Sequence, residues 1–217
     1  MDLDIKQKLE NFFKQYKNQK YRKGEILVRA DDNPSGVFYL INGVVRRYSI
    51  SPAGEELTLN IYRPVSFFPM DWAINQTSST HYYEAMTTAE VYRAPRDEVL
   101  KFISDKPDIL LDLLSRIYHG LDGFMMRMEY LMAGNAQARL ITEVLIYARR
   151  FGKPNGKAIL IDLKLTEKDL ASQSGIARET VSRELQKLKG KNLISFKSNQ
   201  LIVKDIKRLE QELFGSQ

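Results

Sequence analysis

From Leu3 to Tyr16 the apolar residues Leu3, Ile5, Leu9, Phe12, Phe13 and Tyr16 recur at roughly helical spacing, which predicts a short opening amphipathic helix. From Tyr21 the period shortens. The segments Glu25–Arg29, Val37–Ile41, Gly43–Ile50, Glu55–Tyr62 and Glu90–Ala94 are β-branched or aromatic and are separated by Gly, Pro, Asn and Asp turns. They predict a compact antiparallel barrel or jelly roll. Asn42-Gly43 reads as a two-residue hairpin turn, because both residue types tolerate positive φ, and Ser51 to Gly54 reads as another.

Helical spacing returns near Arg96. From Pro107 onward Leu110, Leu114, Ile117, Leu121, Phe124, Met128 and Leu131 recur with alternating steps of four and three, a heptad seam. A helix packed only on its own subunit does not require such regularity, so the seam predicts a parallel homodimer. The competing reading is an internal packing stripe. Gly120 and Gly123 lower helix propensity and allow close approach of a neighbour.

Asn135 after Ala133-Gly134 caps a new helix, Ala136 to Phe151, and puts a hinge at 133–136. Next come a Pro/Gly loop over Gly152–Gly156, a strand over Ala158–Leu163 and a hairpin of Leu193–Lys197 with Leu201–Lys204 turned at Ser198-Asn199. Residues 204–214 read as a closing helix.

Between that strand and hairpin lies the segment with the most chemistry. Thr166 with Asp169 three residues later makes a capping-box start, and Leu170 and Ala171 form the buried side of a short helix ending near Ser174. Gly175 turns the chain, small Ala171 permits a close crossing, and Val181 fills it. In the second helix Ile176, Val181, Leu185 and Leu188 face inward, which leaves Arg178, Glu179, Ser182 and Arg183 outward at its N-terminal end. That is where a helix-turn-helix reads DNA. Arginine matches the O6 and N7 of guanine, glutamate accepts from the amino group of cytosine, and hydroxyls hold phosphates. Arg178, Glu179 and Arg183 are therefore the candidate base contacts, with Thr166, Thr180, Ser182, Lys187 and Lys189 as candidate backbone contacts. The plain alternative is that Arg178, Glu179, Arg183 and Glu184 form only a solvated, charge-paired face.

Charge sharpens this reading. Residues 134–217 carry 16 Lys+Arg against 9 Asp+Glu, net +7 of the chain's +6, so the remainder is net −1. Positive charge collects with the helix-turn-helix, as phosphate neutralisation needs. Lys164, Lys168, Lys191 and Lys197 join the candidate phosphate contacts. There is no cysteine, which excludes disulfides, thiolate zinc sites, cysteine nucleophiles and cysteine-held iron-sulfur clusters. His81 and His119 are too few and too separated to suggest a metal site. No apolar run reaches membrane-spanning length and the N-terminus lacks a signal peptide's pattern, so a cytoplasmic protein with no membrane partner is expected. No nucleophile-base pair, metal cluster or phosphate loop is visible, so no catalytic residue is expected.

The order of parts, a roll, a heptad helix and a winged helix-turn-helix, resembles the Crp/Fnr family of bacterial transcription regulators over nearly the whole chain. The motifs that carry the resemblance are Tyr21-Arg-Lys-Gly-Glu-Ile-Leu, Gly36-Val-Phe-Tyr-Leu-Ile-Asn-Gly-Val-Val-Arg, Gly54-Glu-Glu and Arg178-Glu-Thr-Val-Ser-Arg. The resemblance implies an α+β fold: a cyclic-nucleotide-binding-like roll over 1–106, a dimerisation helix over 107–133 and a winged helix-turn-helix over 134–217. It implies base contacts at Arg178, Glu179 and Arg183, with double-stranded DNA, a second copy and RNA polymerase as partners. Ala177 departs from the pattern, which has a polar helix cap there.

The roll departs further. Phe68-Pro69-Met70 and Ser79-Thr80 stand where nucleotide-binding members have Phe-Gly-Glu and Arg-Ser or Arg-Thr, and no arginine or lysine occurs from Val65 to Thr88. Cyclic AMP binding by the family's contacts is not expected. Phe67, Phe68, Trp72, Tyr82 and Tyr83 either fill the nucleotide's space or line a pocket for an apolar or aromatic ligand. Some family members bind haem, but the context of neither His81 nor His119 points to it. A ligand-sensing module whose basic domain docks a protein instead of DNA is the competing functional class.

Overall fold

The computed structural model describes residues 3–214 and divides the chain into two compact units, 1–118 and 119–217. In the first, helix α1 (Leu3–Phe13) precedes strands β1 (Lys17–Tyr21), β2 (Ile26–Val28), β3 (Val37–Asn42), β4 (Val45–Ile50), β5 (Glu56–Tyr62) and β6 (Phe67–Phe68). Helix α2 (Met70–Asn75), strands β7 (Tyr82–Ala85) and β8 (Ala89–Ala94) and helix α3 (Arg96–Ser104) follow. The strands form two four-stranded antiparallel sheets, ordered β1-β8-β3-β6 and β2-β7-β4-β5. This is the expected roll.

The unbroken apolar run of β3 is explained by burial on both faces. Phe38 and Leu40, with Phe68 and Val91, meet Val28, Val45, Tyr83 and Ala85 between the sheets. On the opposite face Val37 and Tyr39 pack with Leu9 and Phe13 of α1 and with Val99 and Ile103 of α3. The Ser51 to Gly54 turn closes β4 onto β5, with the Ser51 amide donating to the Glu55 carbonyl at 2.8 Å. Asn42-Gly43 does not turn a hairpin, because β3 and β4 lie in different sheets. Only Gly43 has positive φ, and a Cβ there would stand 2.3 Å from the Thr88 carbonyl oxygen. Glycine is needed at this corner for close backbone approach.

The heptad segment forms one helix, α4 (Pro107–Ala133), shared by the two units. In the second unit α5 (Ala136–Phe151) is capped by Asn135, whose side chain accepts from the Ala138 amide at 2.9 Å. Buried residues lie all round α5, which makes it the central element against which the others pack. The expected loop at Gly152–Gly156 is instead strand β9 (Gly152–Asn155), paired with β10 (Ala158–Lys164). It is an edge strand, where Pro154 removes no ladder bond that the sheet needs. Helices α6 (Glu167–Ser174) and α7 (Arg178–Gly190), strands β11 (Ile194–Lys197) and β12 (Gln200–Val203) and helix α8 (Ile206–Phe214) complete the unit. Its sheet runs β11-β12-β10-β9, and Ser198 and Asn199 both take positive φ at the hairpin tip.

Candidate nucleic-acid interface

Thr166 and Asp169 form a reciprocal capping box at the start of α6. The Thr166 hydroxyl accepts from the Asp169 amide at 3.1 Å and donates to its carboxylate at 2.7 Å, so it is engaged before any phosphate arrives. Gly175 ends α6 in the left-handed conformation at φ 63°, and α7 starts three residues after it. Ala177 supplies no side-chain cap, so the first amides of α7 have no side-chain acceptor at that position.

Helix α7 is anchored by Val181, Leu185 and Leu188, all buried. Arg178, Glu179 and Arg183 are exposed, and Thr180 and Ser182 are half-buried between the two faces. Arg178 stands 3.6 Å from Glu167 of α6, and Arg183 donates to Glu184 at 3.4 Å. Of the lysines, Lys187 is exposed and donates to Glu184 at 2.9 Å, while Lys189 lies over the Phe196 ring of β11, 5.6 Å from its centre. Lys191 pairs with Glu212. Lys164, Lys168 and Lys197 are exposed around the same elements. The wing is tied to β10 by Gln200, which donates to the Ile161 carbonyl at 2.6 Å, and the Leu165 amide donates to the Asn199 carbonyl.

Glu184 does not belong to a solvated face: it is 3% exposed. Its helical phase, three residues after Val181 and four before Leu188, was the signal that places it inward.

On α4 the seam residues Leu110, Leu114, Ile117, Leu121, Phe124 and Met128 are all exposed, and Leu131 is half-buried. Ile109, Leu113 and Tyr130 occupy the buried positions of the helix instead. The seam is therefore not consumed by packing within the subunit. A Cβ on Gly120 or Gly123 would meet nothing within 4 Å, so neither glycine is required by a close contact inside the chain.

The five aromatics proposed for the roll do not face one space. Phe68 and Tyr83 stack between the sheets at 5.2 Å, joined by Tyr62. Phe67 points to the opposite face of β6, near Phe13, and Trp72 packs on that same cluster. Tyr82 stacks on Tyr48 instead. Sequence reasoning missed Arg47, which β4 delivers to the inner face opposite Tyr83. Its guanidinium meets the Asp71 carboxylate at 2.8 Å and donates to His81 Nδ1 at 2.7 Å. Burial, followed by the charge of Arg47, lowers the His81 pKa, and burial pushes the Tyr83 phenol well above its usual range. Among the described residues no group of three or more His, Cys, Asp or Glu is placed to hold a metal, and no helix is long and apolar enough to cross a membrane.

Residues 18–106 match the cyclic nucleotide-binding domain family and residues 138–212 the Crp-like helix-turn-helix domain family. The residues of the roll do not fit a cyclic nucleotide. Arg47, on the inner face of β4, is already neutralised by Asp71, Met70 replaces a carboxylate, and Phe68 and Tyr83 occupy the space between the sheets. The chain is 31% identical to the global nitrogen regulator of Synechocystis sp. over 183 residues, 83% of this chain and 81% of that protein. It is 24% identical to the CRP-like cAMP-activated global transcriptional regulator of Mycobacterium tuberculosis over 196 residues, 90% of this chain and 88% of that protein. Its fold is shared with a CooA mutant from Carboxydothermus hydrogenoformans, at TM-score 0.78 and 21% identity over 94% of this chain and 90% of that one. A CRP/FNR family regulator from Thermus thermophilus shares it at TM-score 0.70 and 22% identity, over 93% and 100%. With the roll, the long helix and the helix-turn-helix in place, the chain belongs to the Crp/Fnr family of DNA-binding transcription regulators.

Proposed function

We propose that the chain acts in the cytoplasm as a homodimer that reads an inverted-repeat operator through Arg178, Glu179 and Arg183, and that it does so without cyclic AMP. The observation that carries this reading is the division of α7 into a buried anchor and an exposed N-terminal face bearing two arginines and a glutamate. Such a face presents bidentate donors and an acceptor to base edges. Thr180, Ser182, Lys187 and Lys189 flank it for the phosphates, and Thr166 contributes through the helix start that it caps. The exposed seam from Leu110 to Met128 supports pairing of two α4 helices. Two recognition helices related by a twofold axis then enter successive major grooves about 34 Å apart, so half-sites lie about one helical turn apart. G·C pairs are expected within each half-site, and RNA polymerase is the expected partner at the promoter.

Selection of bound duplexes from a random pool by the purified, ligand-free protein tests this reading. Recovery of an inverted repeat, with affinity falling by about one unit of log-log slope per phosphate contact as salt rises, is the expected result. Recovery of no symmetric sequence would overturn it. Calorimetric titration with cyclic AMP is expected to show no micromolar binding; a saturating isotherm in that range would overturn the cyclic AMP part alone.

A further inference from the structure

Glu184 occupies a core position of α7, in line with Val181, Leu185 and Leu188, at 3% exposure. Removing a carboxylate from water is strongly unfavourable unless cations or donors compensate it. Its Oε1 accepts from Lys187 Nζ at 2.9 Å and from Arg183 Nε at 3.4 Å, and its Oε2 is buried with no hydrogen-bond partner. Both cations lie at the surface, with side chains 65% exposed for Arg183 and 52% for Lys187. These bonds run along one helix and join it to no other element. An apolar side chain of similar volume would fill the site with no stranded oxygen, and replacements of that kind are often neutral or stabilising. The reason for a carboxylate here therefore lies with the two cations it holds.

Arginine has five donors in a planar fork. With Nε engaged by Glu184, the two terminal amino groups of Arg183 remain for the O6 and N7 of a guanine. A long exposed side chain loses rotamer freedom when it binds, and one already held loses less. The same oxygen holds the Lys187 ammonium one turn further along the helix.

We propose that Glu184 is a positioning residue for DNA reading: it orients the Arg183 fork toward a base edge and holds Lys187 beside it for a phosphate. The proposal rests on the DNA-reading function above, and its test has one arm that needs no DNA. In the full-length protein, nitrogen-15 relaxation of the Arg183 Nε–H is expected to report an ordered group in the parent and in Glu184→Gln, which keeps an acceptor oxygen, and a mobile one in Glu184→Met. In the second arm, binding is measured to the selected duplex and to a duplex changed at the base pair whose preference Arg183→Ala blurs. Glu184→Met is expected to lose about tenfold in discrimination, the size of one lost hydrogen bond to a charged group. Glu184→Gln should stay near the parent, and Glu184→Met should add nothing in an Arg183→Ala background.

An Arg183 Nε–H as mobile in the parent as in Glu184→Met overturns the proposal, and so does unchanged discrimination in a well-folded Glu184→Met protein. If that variant folds poorly, Glu184→Leu removes the same oxygens and takes its place in both arms. An ordered Arg183 in a parent that selects no duplex counts against the DNA-reading function and leaves the restraint by Glu184 supported.

Discussion

At the scale of single residues, two side chains carry separable expectations. Arg183 is exposed on α7 in the first half of the helix, and a base contact there is the proposed role of its guanidinium. Arg183→Ala is expected to weaken binding to the selected site by about 1–3 kcal/mol and to blur preference at one base pair, read from titrations against single-pair variants. Equal binding of cognate and scrambled DNA by mutant and parent would remove Arg183 from the reading set. His81 makes a different prediction. Its Nδ1 accepts from Arg47 and lies beside the Thr80 hydroxyl, and Asp71 is the carboxylate facing the same guanidinium. Burial and Arg47 depress the His81 pKa in the folded state, so the unfolded chain takes up the proton first as pH falls. The stability it contributes is complete above its unfolded value of about 6.5 and is lost as pH falls from there through the depressed folded value. Thermal unfolding of the roll should therefore drop between neutral and mildly acidic pH by less in His81→Gln than in the parent. An identical drop in both proteins would assign the effect to other groups. Neither Arg47 nor Asp71 was legible as a partner of His81, since the three come from β4, α2 and the approach to β7 and meet only when the sheet forms.

At the scale of elements, the last turns of α4 are joined to α5 by a bidentate pair between Arg127 and Glu143, whose Nη2–Oε2 distance is 2.8 Å. Glu143 is 1% exposed, so losing its partner strands a buried charge. Arg127→Ala is expected to destabilise the protein by about 3–5 kcal/mol, while Arg127→Met combined with Glu143→Leu should restore most of that loss, as measured by denaturant unfolding. A small cost for the single mutant would show that the pair is solvated in solution. The Asn135 cap, the Thr166 capping box, the Ser198-Asn199 turn and the span of α6 were legible, because each rests on contacts within a few residues, whereas Ile176, read as part of the second helix, lies before α7 begins at Arg178. Strand β1, Lys-Asn-Gln-Lys-Tyr, was not, since it has no apolar alternation and becomes a strand only by pairing with β8. Strand β9 escaped for the same reason, its Gly and Pro suggesting a loop until β10 offered a ladder.

At the scale of the whole molecule, the seam on α4 predicts the assembly. Large apolar side chains recurring at a/d spacing and left exposed, from Leu110 at 41% to Phe124 at 51%, mark a surface that water covers poorly. Leu121→Asp or Phe124→Asp is expected to convert a dimer to a monomer in sedimentation velocity. The same substitution should abolish tight binding to the inverted repeat while leaving the helical circular dichroism signal intact. A variant that remains dimeric would place the interface elsewhere. Basic charge follows the same division of the chain, since the net +7 of residues 134–217 sits with the helix-turn-helix.

The sequence alone determined the roll, the long heptad helix, the winged helix-turn-helix and the three candidate base-reading residues. Each is written in periodicity, caps and turn chemistry whose individual steps link residues only a few positions apart. Tertiary structure decided which aromatics share a core, that Asn42-Gly43 is a corner between sheets and that Arg47 reaches the roll interior. These depend on groups far apart in the chain meeting across a sheet or between packed helices, and no local pattern encodes such distances.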